Sequence, residues 1–127
     1  MTRHHLVATG LLIAISTAPE AWAQCHEQQI SASNSAELDV FAWSLDLEID
    51  RLVIGAVATD NACPTNPNCN SGSVYVFHKT GGTWTEKVQL VGSDTAFRDQ
   101  FGHDVGISGD RILVGAHLKD EIGRAHV

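Results

Sequence analysis

Phe41-Ala-Trp-Ser-Leu-Asp-Leu-Glu-Ile-Asp-Arg-Leu-Val-Ile-Gly-Ala56 recurs, without a gap, as Phe101-Gly-His-Asp-Val-Gly-Ile-Ser-Gly-Asp-Arg-Ile-Leu-Val-Gly-Ala116. The copies lie sixty positions apart and coincide at Phe41/Phe101, Asp50/Asp110, Arg51/Arg111, Gly55/Gly115 and Ala56/Ala116. Apolar character is kept at Leu45/Val105, Leu47/Ile107, Val53/Leu113 and Ile54/Val114. The register extends upstream through Gln29/Gln89, Ser33/Ser93, Ala36/Ala96 and Asp39/Asp99. A fixed period of this size marks a repeat architecture, in which each unit needs neighbours to bury its apolar faces.

Within one period every segment reads as β. Phe41 to Glu48 alternates, with Leu45, Leu47 and Ile49 on one face and Asp46, Glu48 and Asp50 on the other. That period of two predicts a half-buried strand. Arg51 to Ala58 is a continuous apolar run, the pattern of a strand covered on both sides. Ser108-Gly-Asp110 suits a tight hairpin, because glycine accepts positive φ. After the polar stretch Asp60 to Gly72, Ser73-Val-Tyr-Val-Phe77 predicts a third strand from its β-branched and aromatic content. Thr80-Gly-Gly82 is a turn, and Thr83 to Leu90 returns as a fourth strand. Four antiparallel strands per period predict an all-β fold of β-propeller blades, with about one and a half repeats present. The expected layout is a closing segment over 24–40, a first blade over 41–90 and part of a second over 91–120.

The termini carry other messages. Met1-Thr-Arg-His-His5 is a basic start, Leu6 to Ala18 an apolar run, and Ala21 and Ala23 supply the small residues of a signal-peptidase site. Residues 1–23 are expected to be a signal peptide cleaved between Ala23 and Gln24. The apolar run is shorter than the roughly 20 residues of a membrane span. The mature chain is therefore expected to be secreted, periplasmic or on the cell surface, without a stable membrane span. Lipidation at Cys25 is a weaker alternative, since Gln24 is not small. Ile122-Gly-Arg-Ala-His-Val127 corresponds to the translation of ATC GGA AGA GCA CAC GTC, a run of a common sequencing adapter. Residues 121–127 are accordingly read as an adapter-derived tail, and further blades are expected beyond Asp120.

Composition narrows the partners. Fifteen acidic against eight basic residues give a net charge of −7, and removing Arg3 and Glu20 with the signal leaves that excess unchanged. Such a surface repels phosphate backbones, and no basic stripe offsets it, so nucleic acid is not expected as a partner. Cys63 and Cys69 lie six apart in one polar loop, and an exported chain favours a local disulfide between them. Metal binding by the pair is the rival reading, but two thiolates do not supply the four ligands of a structural zinc site. Cys25 is left for a partner elsewhere.

These residues resemble the FG-GAP repeat family, which builds the propeller blades of integrin α-subunits and of many exported bacterial proteins. Phe101-Gly102 matches the FG element, and Phe41-Ala42 is its degenerate copy. Gly55-Ala56 and Gly115-Ala116 match the GA of GAP, with Val57 and His117 where proline is usual. The resemblance implies a binding or adhesion scaffold with an unidentified protein or glycan ligand. The long loop between the second and third strands, Asp60 to Gly72, is the expected contact surface. An exported enzyme carrying such a propeller is the alternative, separable by whether the complete gene adds repeats or a catalytic domain. The family often binds calcium in its first hairpin. Here Glu48-Ile-Asp50 and Ser108-Gly-Asp110 are too short to supply six oxygens, so no metal site is expected. Oxygens of Asp60, Asn61, Asn66, Asn68 and Asn70 leave only a weak cation site open. No cofactor fingerprint or catalytic elbow occurs. His103 stands beside the carboxylate of Asp104 within a predicted strand, and alternation along a strand predicts that the two point apart. Trp43, Trp84, Tyr75 and Phe77 are expected in the core between blades, with stacking on a sugar as the lesser possibility.

Overall fold

The computed structural model describes residues 27–118, and they contain strands and turns with no helix. The expected signal peptide, the Ala23/Gln24 junction, Cys25 and the segment 121–127 lie outside the described residues. Six strands follow one another: β1 (Phe41–Glu48), β2 (Arg51–Ala56), β3 (Ser73–Thr80), β4 (Thr83–Leu90), β5 (Phe101–Ser108) and β6 (Arg111–Ala116). The first four form an antiparallel sheet in chain order, and β5 and β6 form a second, two-stranded sheet. The first repeat is thus a complete four-stranded blade and the second contributes its first hairpin. β2 stops at Ala56 where the apolar run continues to Ala58, because the chain turns at Val57 and Ala58 into the long loop.

The repeat is exact in backbone detail as well as in sequence. Phe41 pairs with Ala56 and Phe101 with Ala116, and in both hairpins a bulge separates that pair from the next. Positive φ recurs at the period: Leu38 and Arg98, Val40 and Gln100, Ala42 and Gly102, Ile49 and Gly109. The Asp39 carboxylate accepts the Ala36 amide at 2.7 Å, and Asp99 accepts that of Ala96 at 2.8 Å. The matched Ala–Asp pairs upstream of each blade are therefore turn-forming residues, in which a short carboxylate bonds nearby backbone.

One face of the first sheet carries the core. Leu52, Ile54, Ala56, Tyr75 and Phe77 are buried there together with Ala32, and Ile30, Phe41 and Trp84 pack around them. Phe41 meets Tyr75 and Phe77 edge-on, with ring centres 5.7 and 6.4 Å apart. The small Ala56 across the ladder from Phe41 leaves room for that ring. Ile30 and Ala32 belong to the segment before β1, which lies back across this face. Its cover stops short of β1. Leu45 and Leu47 remain 61% and 55% exposed, although their alternation predicts a buried side.

The other face receives the second hairpin. Val53, Val74 and Val76 are buried there, and polar atoms of β1 fasten β5 in place. Ser44 Oγ donates to the Gly102 carbonyl at 2.8 Å. Asp46 accepts the Ile107 amide at 2.8 Å, and Glu48 accepts that of Gly109 at 2.9 Å. Arg51 bridges Glu48 and Asp110 at 3.6 and 3.5 Å. The polar side of β1 is the engaged one, because charge-assisted bonds to free amides of β5 compensate its desolvation. At the centre of the joint Gly55 and Gly102 meet. A Cβ on Gly55 would run into the Gly102 carbonyl and Ser44 Oγ. One on Gly102 would come within 2.6 Å of the Ser73 carbonyl and 3.0 Å of Val74.

A packed joint has a measurable consequence. Gly102→Ala adds overpacking, worth about 1–3 kcal/mol, to the penalty of a side chain at φ +93°, a further ~1–2 kcal/mol. Gly109→Ala meets nothing within 4 Å and carries only the second term. Urea unfolding is expected to show a clearly larger loss for Gly102→Ala; equal losses would mean that the joint is not close-packed.

Candidate functional site

The molecule has two unlike ends. The turns β1–β2, β3–β4 and β5–β6 lie at one, and the long 57–72 loop with both interblade linkers lies at the other. The candidate site is at the loop end. Its local order comes from stacked turns: Cys63 N bonds Asp60 O, Asn66 N bonds Cys63 O, and Cys69 N bonds Asn66 O, at 2.9–3.1 Å. Those turns bring Cys63 and Cys69 to a Cα separation of 5.9 Å, where they are joined as a disulfide. Cys69 is fully buried, and the residues after it pair with the linker into the second hairpin. Arg98, Gln100 and Phe101 donate to the carbonyls of Cys69, Asn70 and Ser71 at 2.7, 3.2 and 2.8 Å. The disulfide thus anchors a stretch that joins the two repeats.

Beside the loop is a cleft of about 260 Å³ lined by Asn34, Asp39, Thr59, Asp60, Asn61, Pro64 and Tyr75, with Ala36. A hydrogen-bond network underlies it. Tyr75 OH donates to Asn34 Oδ1 at 3.0 Å and accepts from Gln89 Nε2 at 3.0 Å, while Asn34 Nδ2 donates to Gln89 Oε1 at 3.1 Å. Ser73 Oγ accepts from Asn61 Nδ2 at 2.6 Å and from Gln89 Nε2 at 3.1 Å, and lies 2.8 Å from Thr59 Oγ1. Burial, reinforced by the negative charges of Asp39 and Glu86, pushes the Tyr75 phenol up from 10.0 to about 12; the bond to Asn34 pulls it the other way. Tyr75 is a neutral, immobilised donor across the physiological range.

The expected site residues fall into three groups. Cys63 and Cys69 are brought together. Phe41, Ala56, Phe101 and Ala116 are cross-strand partners, and Gly55 and Gly102 touch across the joint, while Gly115 remains open. These repeat residues are structural. The loop oxygens considered for a cation are turned to the loop itself: Asp60 accepts the Asn70 amide at 2.8 Å and Asn66 that of Asn68 at 3.0 Å. Among the described residues no group of three or more His, Cys, Asp or Glu side chains is placed to hold a metal.

Two expectations are corrected. His103 and Asp104 do not point apart: His103 Nδ1 lies 3.1 Å from Asp104 Oδ2. The bulge after Phe101, with Gly102 at φ +93°, breaks the alternation on which that expectation rested. His103 also stacks on His117, ring centres 4.4 Å apart, and tilts against Trp43 at 5.6 Å. Trp43 is accordingly a joint residue, 54% exposed, and not an enclosed core aromatic like Tyr75 and Phe77. The residues missed from sequence are Asn34, Asp39, Thr59, Ser73 and Gln89. Asp39 and Gln89 do recur at the period, and recurrence of a polar residue was the available signal.

Comparison with known families matches the chain to the FG-GAP repeat model over residues 22–77 and 84–127. The chain belongs to the FG-GAP repeat family, whose units are blades of the integrin-like β-propeller type. The second match runs through the segment read from the sequence as adapter-derived. No curated protein and no solved structure matches the chain. No helix among the described residues is long and apolar enough to cross a membrane.

Two measurements probe this end. Tyr75 is the single tyrosine, so tyrosinate absorbance reports it alone and is expected to rise near pH 12 instead of 10. Because the folded value is the raised one, the associated stability is complete below pH 10 and is lost as the pH climbs toward 12, about 3 kcal/mol in all; Tyr75→Phe removes this alkaline step. Opening the disulfide with Cys63→Ser is expected to lose about 2 kcal/mol by loop entropy. Hydrogen exchange should then quicken at the Arg98, Gln100 and Phe101 amides before the β1–β4 ladder; uniform quickening would contradict the anchoring role.

Proposed function

We propose that this chain is an exported, non-catalytic binding scaffold that presents the disulfide-pinned loop and its adjoining cleft to a protein or glycan ligand. Export rests on the basic, apolar and small-residue order of residues 1–23, with Gln24 as the mature N-terminus. The Cys63–Cys69 bond fits an oxidising compartment. The observation that carries the binding role is the cleft itself. Carboxylates, amides and a neutral phenol converge there, positioned by a network that leaves little to order on binding. Such groups pair with sugar hydroxyls or with the amides and ammonium groups of a peptide. The acidic surface disfavours sulfated or phosphorylated polymers.

At the hairpin end Asp46, Glu48 and Arg51 are engaged in fastening one repeat to the next. Binding to arrays of neutral and sulfated oligosaccharides and of lysine-rich peptides tests the proposal. A neutral glycan or basic peptide should bind, and Asn61→Ala should weaken it at least tenfold, while Lys87→Ala on β4 leaves it unchanged. Absence of binding across all three panels, or equal loss in both variants, would overturn the proposal.

A further inference from the structure

The cleft at the loop end is lopsided in what it can still bond. Its donors are turned inward. Tyr75 OH is committed to Asn34 Oδ1, the Thr59 hydroxyl lies 2.8 Å from Ser73 Oγ, and Asn61 Nδ2 donates to the same oxygen at 2.6 Å. Asn34 Nδ2 donates to Gln89. Each of the two asparagines keeps one amide hydrogen and no other side-chain donor lines the cleft. The acceptors are placed differently. Asp39 uses Oδ2 on the Ala36 amide and Asp60 uses Oδ1 on the Asn70 amide. Among the described residues, Asp39 Oδ1, Asp60 Oδ2 and Asn61 Oδ1 therefore stand without a donor. Both carboxylates are half-buried, where an anion is costly unless a charged donor meets it.

We infer that the cleft is a lysine pocket, taking a primary ammonium on an aliphatic stem presented by a partner protein. This rests on the cleft being the binding site, as proposed above, and narrows that reading to one ligand class. An ammonium donates three hydrogens and accepts none, which matches three open acceptors. Its bonds to carboxylates are roughly twice as strong as those between neutral groups, whereas a sugar hydroxyl would leave both anions with neutral partners. Ala36 and Pro64 line the same cleft and offer apolar surface to the methylene stem. Calcium is served less well. It asks for about six to eight oxygens, and the nearby carbonyls of Asp39, Thr59 and Asp60 already accept the amides of Ala58, Gly72 and Cys63. After burial, the charges of Asp39 and Glu86 are what raise the Tyr75 phenol, so an anionic field reaches the floor of the cleft. The chain's net charge of −7 draws a cationic partner toward it.

The probe is an end-blocked pentapeptide with one central lysine among glycine and serine, titrated into the full, oxidised chain and followed by NMR. It is expected to shift the side-chain amides of Asn34 and Asn61, and the same peptide with acetyl-lysine should bind about tenfold more weakly or worse. Asp39→Asn and Asp60→Asn keep an oxygen for the Ala36 and Asn70 amides and should each weaken binding similarly. Asp50→Asn removes the same charge at the hairpin end and should leave it unchanged. Equal binding of the acetylated peptide, or equal loss with Asp50→Asn, overturns the inference; the acetylated peptide decides without altering the protein. A neutral oligosaccharide that binds through Asn61 while the lysine peptide does not would overturn the lysine pocket and leave the cleft as the site. Binding of neither would overturn both.

Discussion

The close approach of Gly55 to Gly102 sets the geometry of everything else. Two backbones meet there without side chains between them, so β5 can lie against β1 and β2 near enough for Ser44, Asp46 and Glu48 to reach its polar groups. A methyl group at either glycine would hold the strands apart by more than a hydrogen bond tolerates. The glycine contact is thus what permits the polar ties, and the ties fix the register of one repeat on the next. The two elements that name the family are the two halves of a single contact, one contributed by each neighbouring blade.

The same constraint explains why a mostly polar strand face is engaged while an apolar one is open. Desolvating Asp46 and Glu48 is tolerable because β5 enters with amides that need acceptors. Leu45 and Leu47 impose no such requirement and wait for whatever covers the opposite face. Hydrophobic alternation therefore identifies β1 as a strand but does not say which side meets the second repeat. Nothing in a two-residue period records whether a polar residue faces water or a neighbour's backbone.

Repeat, strands and turns were legible because they depend on local chemistry that is written twice. The sixty-residue register and the hairpins follow from residues close in sequence or duplicated at the period. What was not legible depends on a backbone event. The bulge at Gly102 turns His103 toward Asp104 and His117, a contact that strand alternation forbids. The cleft was hidden for a different reason. The network beneath it draws on Asn34, Thr59, Ser73 and Gln89, far apart in the chain, and only folding gathers them around Tyr75.

That separation also divides labour between the two ends of the molecule. At the hairpin end the same residues recur in both repeats, Asp50-Arg51 and Asp110-Arg111, and Arg51 of the first pairs with Asp110 of the second to attach one blade to the next. At the loop end a single disulfide-closed loop is built on polar bonds internal to the first repeat, and its terminal residues also hold the linker to the second. Asp60, which lines the cleft, accepts the Asn70 amide, and Asn70 in turn accepts the Gln100 amide, so the cleft and the linker to the second repeat are built on one hydrogen-bonded stretch.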